Sequence, residues 1–214
     1  MKKTLKLIVD ILMTVVFVLL MCVSQTGSYL HEIMGIMVII LFVIHQILNI
    51  NFYKNIFKGK YGKIRIAFMV VDITLLIMMI VMMVSALMIS QNILTFIQIG
   101  NDSLGRTLHI FSTYTIYMLC GVHLGLHYNM IIKLKNEKKM IVTGILLIFS
   151  ILFGSYGFIK REFISKLTLQ SVYPLYFEES LFVTLVDYIG ILTMFTMIGY
   201  GIYQLCILKR KKEK

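Results

Sequence analysis

Six long apolar runs, parted by short polar gaps, set the pattern of this chain. Each is about 20 residues or longer, the length an α-helix needs to cross a hydrocarbon core of roughly 30 Å. The runs predict helical spans at about 5–25, 30–50, 66–90, 104–132, 140–159 and 180–208. The first opens on Met-Lys-Lys like a signal peptide, but no clear small-x-small cleavage site follows, so an uncleaved span is expected. Lys6 and Asp10 lie one turn apart on it and are expected to pair. Asp102 or Ser103 suits the N-cap of the fourth span. The gap 91–102 is only half polar, and Leu94, Phe96, Ile97 and Ile99 are expected in the membrane interface. The longest gap, 160–179, holds the only proline, Pro174, and its apolar residues suggest a segment folded back onto the membrane surface. The pattern therefore predicts an all-α membrane protein with six transmembrane helices, a single polytopic domain over residues 1–214.

Composition supports this class. Hydrophobic residues make up 59% of the chain and charged residues 14%, which is more apolar surface than a soluble domain of this size needs. The net charge of +11 raises the question of nucleic acid, but the basic residues sit in short gaps and form no basic face interleaved with aromatics. Nucleic-acid binding is excluded on that ground, and membrane lipid is the expected surround. Charge reports orientation instead. Of 21 Lys and Arg, all but Arg106, Lys160, Arg161 and Lys166 fall at the termini or in the gaps 54–65 and 133–139. The positive-inside rule then puts both termini in the cytoplasm and the protein in the cell membrane. Cys22, Cys120 and Cys206 are isolated, with no C-x-x-C, C-x-x-C-H or zinc spacing, so they are expected to be packing residues.

The histidines change the picture. His31 and His45 lie 14 residues apart in the second span, and His109 and His123 lie 14 apart in the fourth. Fourteen residues fall about 40° short of four helical turns, so each pair shares a face, with its members about 21 Å apart along the axis. Both spans run in the same direction across the bilayer, so His31 and His109 belong at the outer end and His45 and His123 at the inner end. Ionisable side chains are costly inside a membrane and mark functional sites by default. Haem iron takes imidazole as an axial ligand, and facing helices can supply both axial positions. The spacing predicts two haem b groups held in a four-helix-bundle core, by His31 with His109 and by His45 with His123. Gly35, Gly105, Gly121 and Gly125 flank these histidines and are candidate positions where a ring passes close to backbone. Arg106, three residues before His109, is the candidate partner of outer propionates, and Tyr61, Lys63, Arg65 and Lys133 are less specific inner ones. His127 is the competing inner ligand; the shared spacing favours His123, leaving His127 for a propionate, a quinone or the headgroup layer. Asp72 and Asp187 suit structural hydrogen bonds, or proton relay at a quinol site. The methionines suit core and lipid-facing packing rather than ligation.

A second reading, of a different class, is a carrier or channel whose histidines bind a transition metal or relay protons. A zinc enzyme is disfavoured, because no H-E-x-x-H occurs and a tetrahedral site cannot use ligands about 21 Å apart on one helix. A membrane anchor for another subunit is the plainest alternative.

The paired spacing resembles the dihaem cytochrome b subunit of quinol:cytochrome c oxidoreductase, although this chain is shorter and lacks an evident quinol-site motif. The opening Lys-Leu-Ile-Val-Asp10, Leu30-His31-Glu32, His45-Gln-Ile-Leu-Asn49, Phe57-Lys-Gly-Lys-Tyr61, Gly105-Arg106-Thr-Leu-His109 and His123-Leu-Gly-Leu-His127 resemble a smaller bacterial family more closely. Its members, catalogued as a domain of unknown function, are regarded as flavinylation-associated cytochromes b. The resemblance covers about the first 135 residues, and this chain has Gln46 where many members carry a second histidine. It implies haem b binding and electron transfer between the quinone pool and an extracytoplasmic, flavin-carrying partner. The chain itself has no Asp-Gly-x-Ser/Thr flavin-attachment motif, so a covalent flavin belongs on the partner. Whether it counts as an enzyme turns on whether it oxidises quinol itself.

Overall fold

The computed structural model describes residues 2–59, 61–97, 102–131, 136–170 and 178–212, and among these it is all helical. Six long elements follow the apolar runs: α1 (Lys2–Leu20), α2 (Ser28–Leu48), α3 (Lys63–Ile89), α4 (Asp102–Leu126), α5 and α6 (Leu181–Lys212). The fifth is composite, with Asn136–Phe149 passing through a π-helical turn at Ser150–Gly154 into Ser155–Lys160. Short helices at Val23–Thr26, Asn51–Asn55, Tyr128–Ile131 and Phe163–Leu167 fill connections. Gly27, at φ +79°, breaks the chain between α1 and α2.

Four of these elements are long and apolar enough to cross a membrane: Ser28–Leu48, Lys63–Ile89, Glu137–Lys160 and Leu181–Leu208. The other two, α1 and α4, carry more polar residues. Lys6 and Asp10 lie on α1, and Arg106 and three histidines lie on α4. These are the groups that the tertiary structure turns inward.

Packing divides the bundle. One hairpin is α1 with α2, and a second is α3 with α4; α4 also packs along α6, and α6 along α5. We call the end holding His31 and His109 the upper end, and that holding His45 and His123 the lower end. Close helix approach depends on glycine at two crossings. A side chain at Gly125 would strike the Thr196 carbonyl, and one at Gly199 the Val122 carbonyl, so α4 and α6 meet backbone to backbone. Gly154 and Gly157 likewise face Gly190 and Asp187, which brings the upper end of α5 onto α6.

The upper end is sealed by aromatic and ionic contacts. Phe163 is fully buried, 4.7 Å from the Tyr114 ring and 5.4 Å from the Phe158 ring. Part of the 160–179 gap therefore plugs into the bundle instead of lying on its surface. Among the described residues of the gap, Ile164 and Leu169 keep the expected outward apolar aspect. Pro174 falls outside the described residues, as do Ile99 and Lys133. Beside Phe163, buried Arg161 donates from Nε and Nη2 to Asp187 Oδ2 at 3.0 and 2.6 Å, and Nη2 reaches Glu179 at 2.8 Å. Lys160 contacts both carboxylates, at 2.8 and 3.0 Å. Asp187 is thus part of a buried charge cluster rather than a lone intramembrane acid.

Candidate functional site

The two hairpins bring the histidines into register. At the upper end the rings of His31 and His109 face each other with centroids 6.2 Å apart and planes at 72°. The Nδ1 atoms of both are buried without a hydrogen-bond partner. The Leu20 carbonyl of α1 and the Met82 carbonyl of α3 are the backbone acceptors beside the two rings. A metal ion held between two imidazoles at about 2.0 Å from each nitrogen would put the ring centroids roughly 6 Å apart, which is the spacing seen here.

At the lower end each histidine is held by an aspartate of the preceding helix. His45 Nδ1 donates to Asp10 Oδ1 at 2.7 Å, and His123 Nδ1 to Asp72 Oδ1 at 2.7 Å. A carboxylate on Nδ1 fixes the tautomer, the arrangement that metal-ligating histidines favour; the Asn49 amide lies 3.4 Å from His45 Nε2. Asp10 does not pair with Lys6. Instead Lys6 donates to Asn49 at 2.9 Å, because the imidazole across the hairpin takes the carboxylate.

Both lower histidines line a cavity of about 810 Å³ between the hairpins. Its walls are built from matched positions. Asp10, Met13, Thr14 and Phe17 of α1 stand opposite Asp72, Leu75, Leu76 and Met79 of α3, at a constant offset of 62 residues. Val38, Phe42, His45 and Asn49 of α2 match Ile116, Cys120, His123 and His127 of α4, at an offset of 78. Leu20 and Met82, beside the upper rings, keep the offset of 62. The hairpins are therefore two copies of one arrangement facing each other across the cavity.

The chain matches no protein-family model, no curated protein and no solved structure. What it does must be argued from this duplicated geometry.

Among the described residues no cluster of three or more His, Cys, Asp or Glu is placed to hold a metal ion. A closed zinc-type site has no basis in them, whereas a haem asks the protein for only two axial side chains. The residues present are compatible with that demand: two histidine rings 6.2 Å apart above, and two carboxylate-oriented imidazoles on one cavity below.

Three of the four glycines play a different part from the one expected. A side chain at Gly105 would lie 2.8 Å from Met88 and Ile89 of α3, and those at Gly121 and Gly125 would strike Phe195 and Thr196 of α6. They serve helix crossings and not the passage of a ring. At Gly35 an added side chain meets nothing, so room remains there. Arg106 is half-buried at the upper end, one turn from His109. Arg65 caps the α2–α3 connection, donating to the Asn55 and Ile56 carbonyls at 2.6 and 3.2 Å.

Glu32 was not singled out from sequence. Its carboxylate, next to His31, accepts from Ser90 Oγ and from the backbone N–H of Gln91, Asn92 and Ile93 at 2.8–3.2 Å. It pins the α3–α4 connection over the upper histidines. The aspartates were visible as intramembrane acids, but their histidine partners were not. The signal available was one acid on each of α1 and α3 and one lower histidine on the helix that follows each.

Proposed function

We propose that the protein is a dihaem b-type membrane cytochrome that moves electrons across the membrane between the quinone pool and an extracytoplasmic redox partner. The observation that carries this reading is the repeated pair: histidines in register at both ends, each set between the same two hairpins. His31 and His109 would hold one haem b, His45 and His123 the other. Bound haem supplies one-electron redox chemistry, and two in series bridge most of the hydrocarbon core.

The chain's own residues account for the rest. Asp10 and Asp72 would orient the lower imidazoles and fix the tautomer that carries its proton on Nδ1. Phe17, Phe42 and Met79 line the central cavity with apolar surface, which lowers the local dielectric. Glu32 holds the upper connection, where 91–97 and the exposed residues Ile164 and 168–170 would form a surface for an external partner, fittingly one that carries flavin. On this reading α1 and α4 also span the membrane, which makes six spans with both termini cytoplasmic. Their polar groups face the cofactors, where they are tolerated.

Protein purified from a haem-replete host is expected to be red, with reduced b-type bands and two haems per chain by pyridine haemochrome assay. A colourless protein overturns the reading and leaves a carrier or an anchor. Asp72→Asn is expected to weaken haem retention by about 10–100-fold and to shift one midpoint potential upward, because a less basic imidazole favours ferric iron less. Redox titration checks this; two unchanged potentials would remove Asp72 from the site.

A further inference from the structure

The two hairpins match position for position until one turn below the lower histidines, and there they part. On α2 the position is Asn49, which is fully engaged: it accepts from Lys6 at 2.9 Å and donates to the His45 carbonyl at 2.9 Å. On α4 it is His127, whose ring makes no hydrogen bond among the described residues. It rests edge-on against Phe68 at 4.7 Å and against His123 at 4.6 Å. A second cavity, of about 1260 Å³, opens on this side, beneath the α2–α3 connection. Phe52, Asp72 and His127 line it and the central cavity alike. They form a wall one side chain thick between the two.

We propose that this second cavity binds the ring of an isoprenoid quinone, with His127 as its hydrogen-bonding partner. The proposal rests on the cytochrome reading for its redox purpose and names the site at which that reading's membrane substrate docks. Part of the wall suits a flat, largely apolar ring: Phe52, Ile56, Phe68 and Met69 line it together with His127. An imidazole serves both forms of such a ligand. Its N–H donates to a quinone carbonyl, and its free nitrogen accepts from a quinol hydroxyl. An anion, such as a lipid phosphate or a haem propionate, is the other occupant to weigh, given the cations at the mouth. The Arg65 guanidinium, however, is committed to two backbone carbonyls and lies 4.7 Å from the Tyr61 ring centre. The wall that carries His127 also carries the Asp72 carboxylate, whose negative charge disfavours an anion there. The mouth lies among exposed apolar residues such as Phe57, which leaves a route for an isoprenoid tail toward lipid.

The test is equilibrium binding of ubiquinone-2 and menaquinone-2 to the full chain in lipid nanodiscs, by calorimetry against empty discs. His127→Leu removes the hydrogen-bonding partner. Gly62→Phe fills the cavity from a position where an added side chain meets no neighbour. The expected result is saturable binding at one site for at least one quinone, weakened about tenfold or more in both variants, as loss of one buried hydrogen bond or of the space requires. Unaltered binding in both variants, or no saturable binding by the native chain, overturns the proposal. So does a His127→Leu protein that loses a haem while keeping its quinone affinity, since His127 would then be an axial ligand. A red protein that binds no quinone defeats this proposal and spares the cytochrome reading. A colourless protein that binds quinone through His127 does the reverse.

Discussion

His109→Ala should yield a protein with one haem in place of two, and the haem lost should be the upper one. The geometry makes the effect selective. His109 and His31 face each other alone at 6.2 Å, and no third histidine, cysteine or carboxylate joins them among the described residues as a substitute ligand. Alanine leaves His31 as a single imidazole on a buried face. The lower site, about 21 Å away along α4, keeps both of its histidines and both aspartates. Its spectrum and potential should therefore persist. His123→Ala should give the complementary loss, unless His127, one turn away, takes over ligation. Pyridine haemochrome stoichiometry and redox titration of the two variants decide this. Retention of both haems in His109→Ala would refute the assignment of the upper pair.

The second large effect concerns stability and not cofactors. Asp187→Leu should lower the melting temperature by about 6–20 °C, because removing one partner of a buried ion pair costs roughly 3–5 kcal/mol and each kcal/mol is worth about 2–4 °C in a chain of this size. Asp187 is 4% exposed and Arg161 2%, so the guanidinium loses its two bonds to Asp187 with little water to replace them, keeping Glu179 and Thr184. The paired replacement Arg161→Met with Asp187→Leu should recover much of the loss, since an apolar pair of similar volume strands no charge. A double variant no better than the single would show that the charges act singly. Acid should weaken the same cluster. Lys160 and then Arg161 hold the Glu179 carboxyl below its ordinary value of 4.5. A depressed carboxylate contributes its stability above the unfolded value and loses it as the pH falls through the folded one. Thermal melts of native protein and Glu179→Gln should therefore converge as the pH drops below about 4.5; a constant gap would exclude the linkage.

Much of this was legible along the chain. The helices fall on the six apolar runs because burying or immersing twenty apolar residues in hydrocarbon admits little but a helix. The 14-residue spacing put each histidine pair on one helical face, since helix periodicity depends on local geometry alone. Partnership is another matter. Asp10 lies one turn from Lys6 and 35 residues from His45, yet it bonds to His45 because the α1–α2 hairpin turns that imidazole inward at the same level. The same holds for Asp72 with His123, for Glu32 with the 90–93 turn, and for Arg161 with Asp187. Each joins residues from different elements, which no sequence spacing encodes. The glycines show it most plainly. Gly105, Gly121 and Gly125 flank histidines in sequence but point at α3 and α6 in space, because residues two positions apart on a helix, as Gly121 and Gly125 are from His123, face different neighbours, and Gly105, one turn before His109, lies on the face that α3 covers. The sequence by itself determined the helices, their polar stripes and the equal spacing of the histidines. Only the tertiary structure decided that two hairpins repeat one Asp–His arrangement around a shared cavity, and that His127 alone departs from it, because those relations exist only once the hairpins face each other.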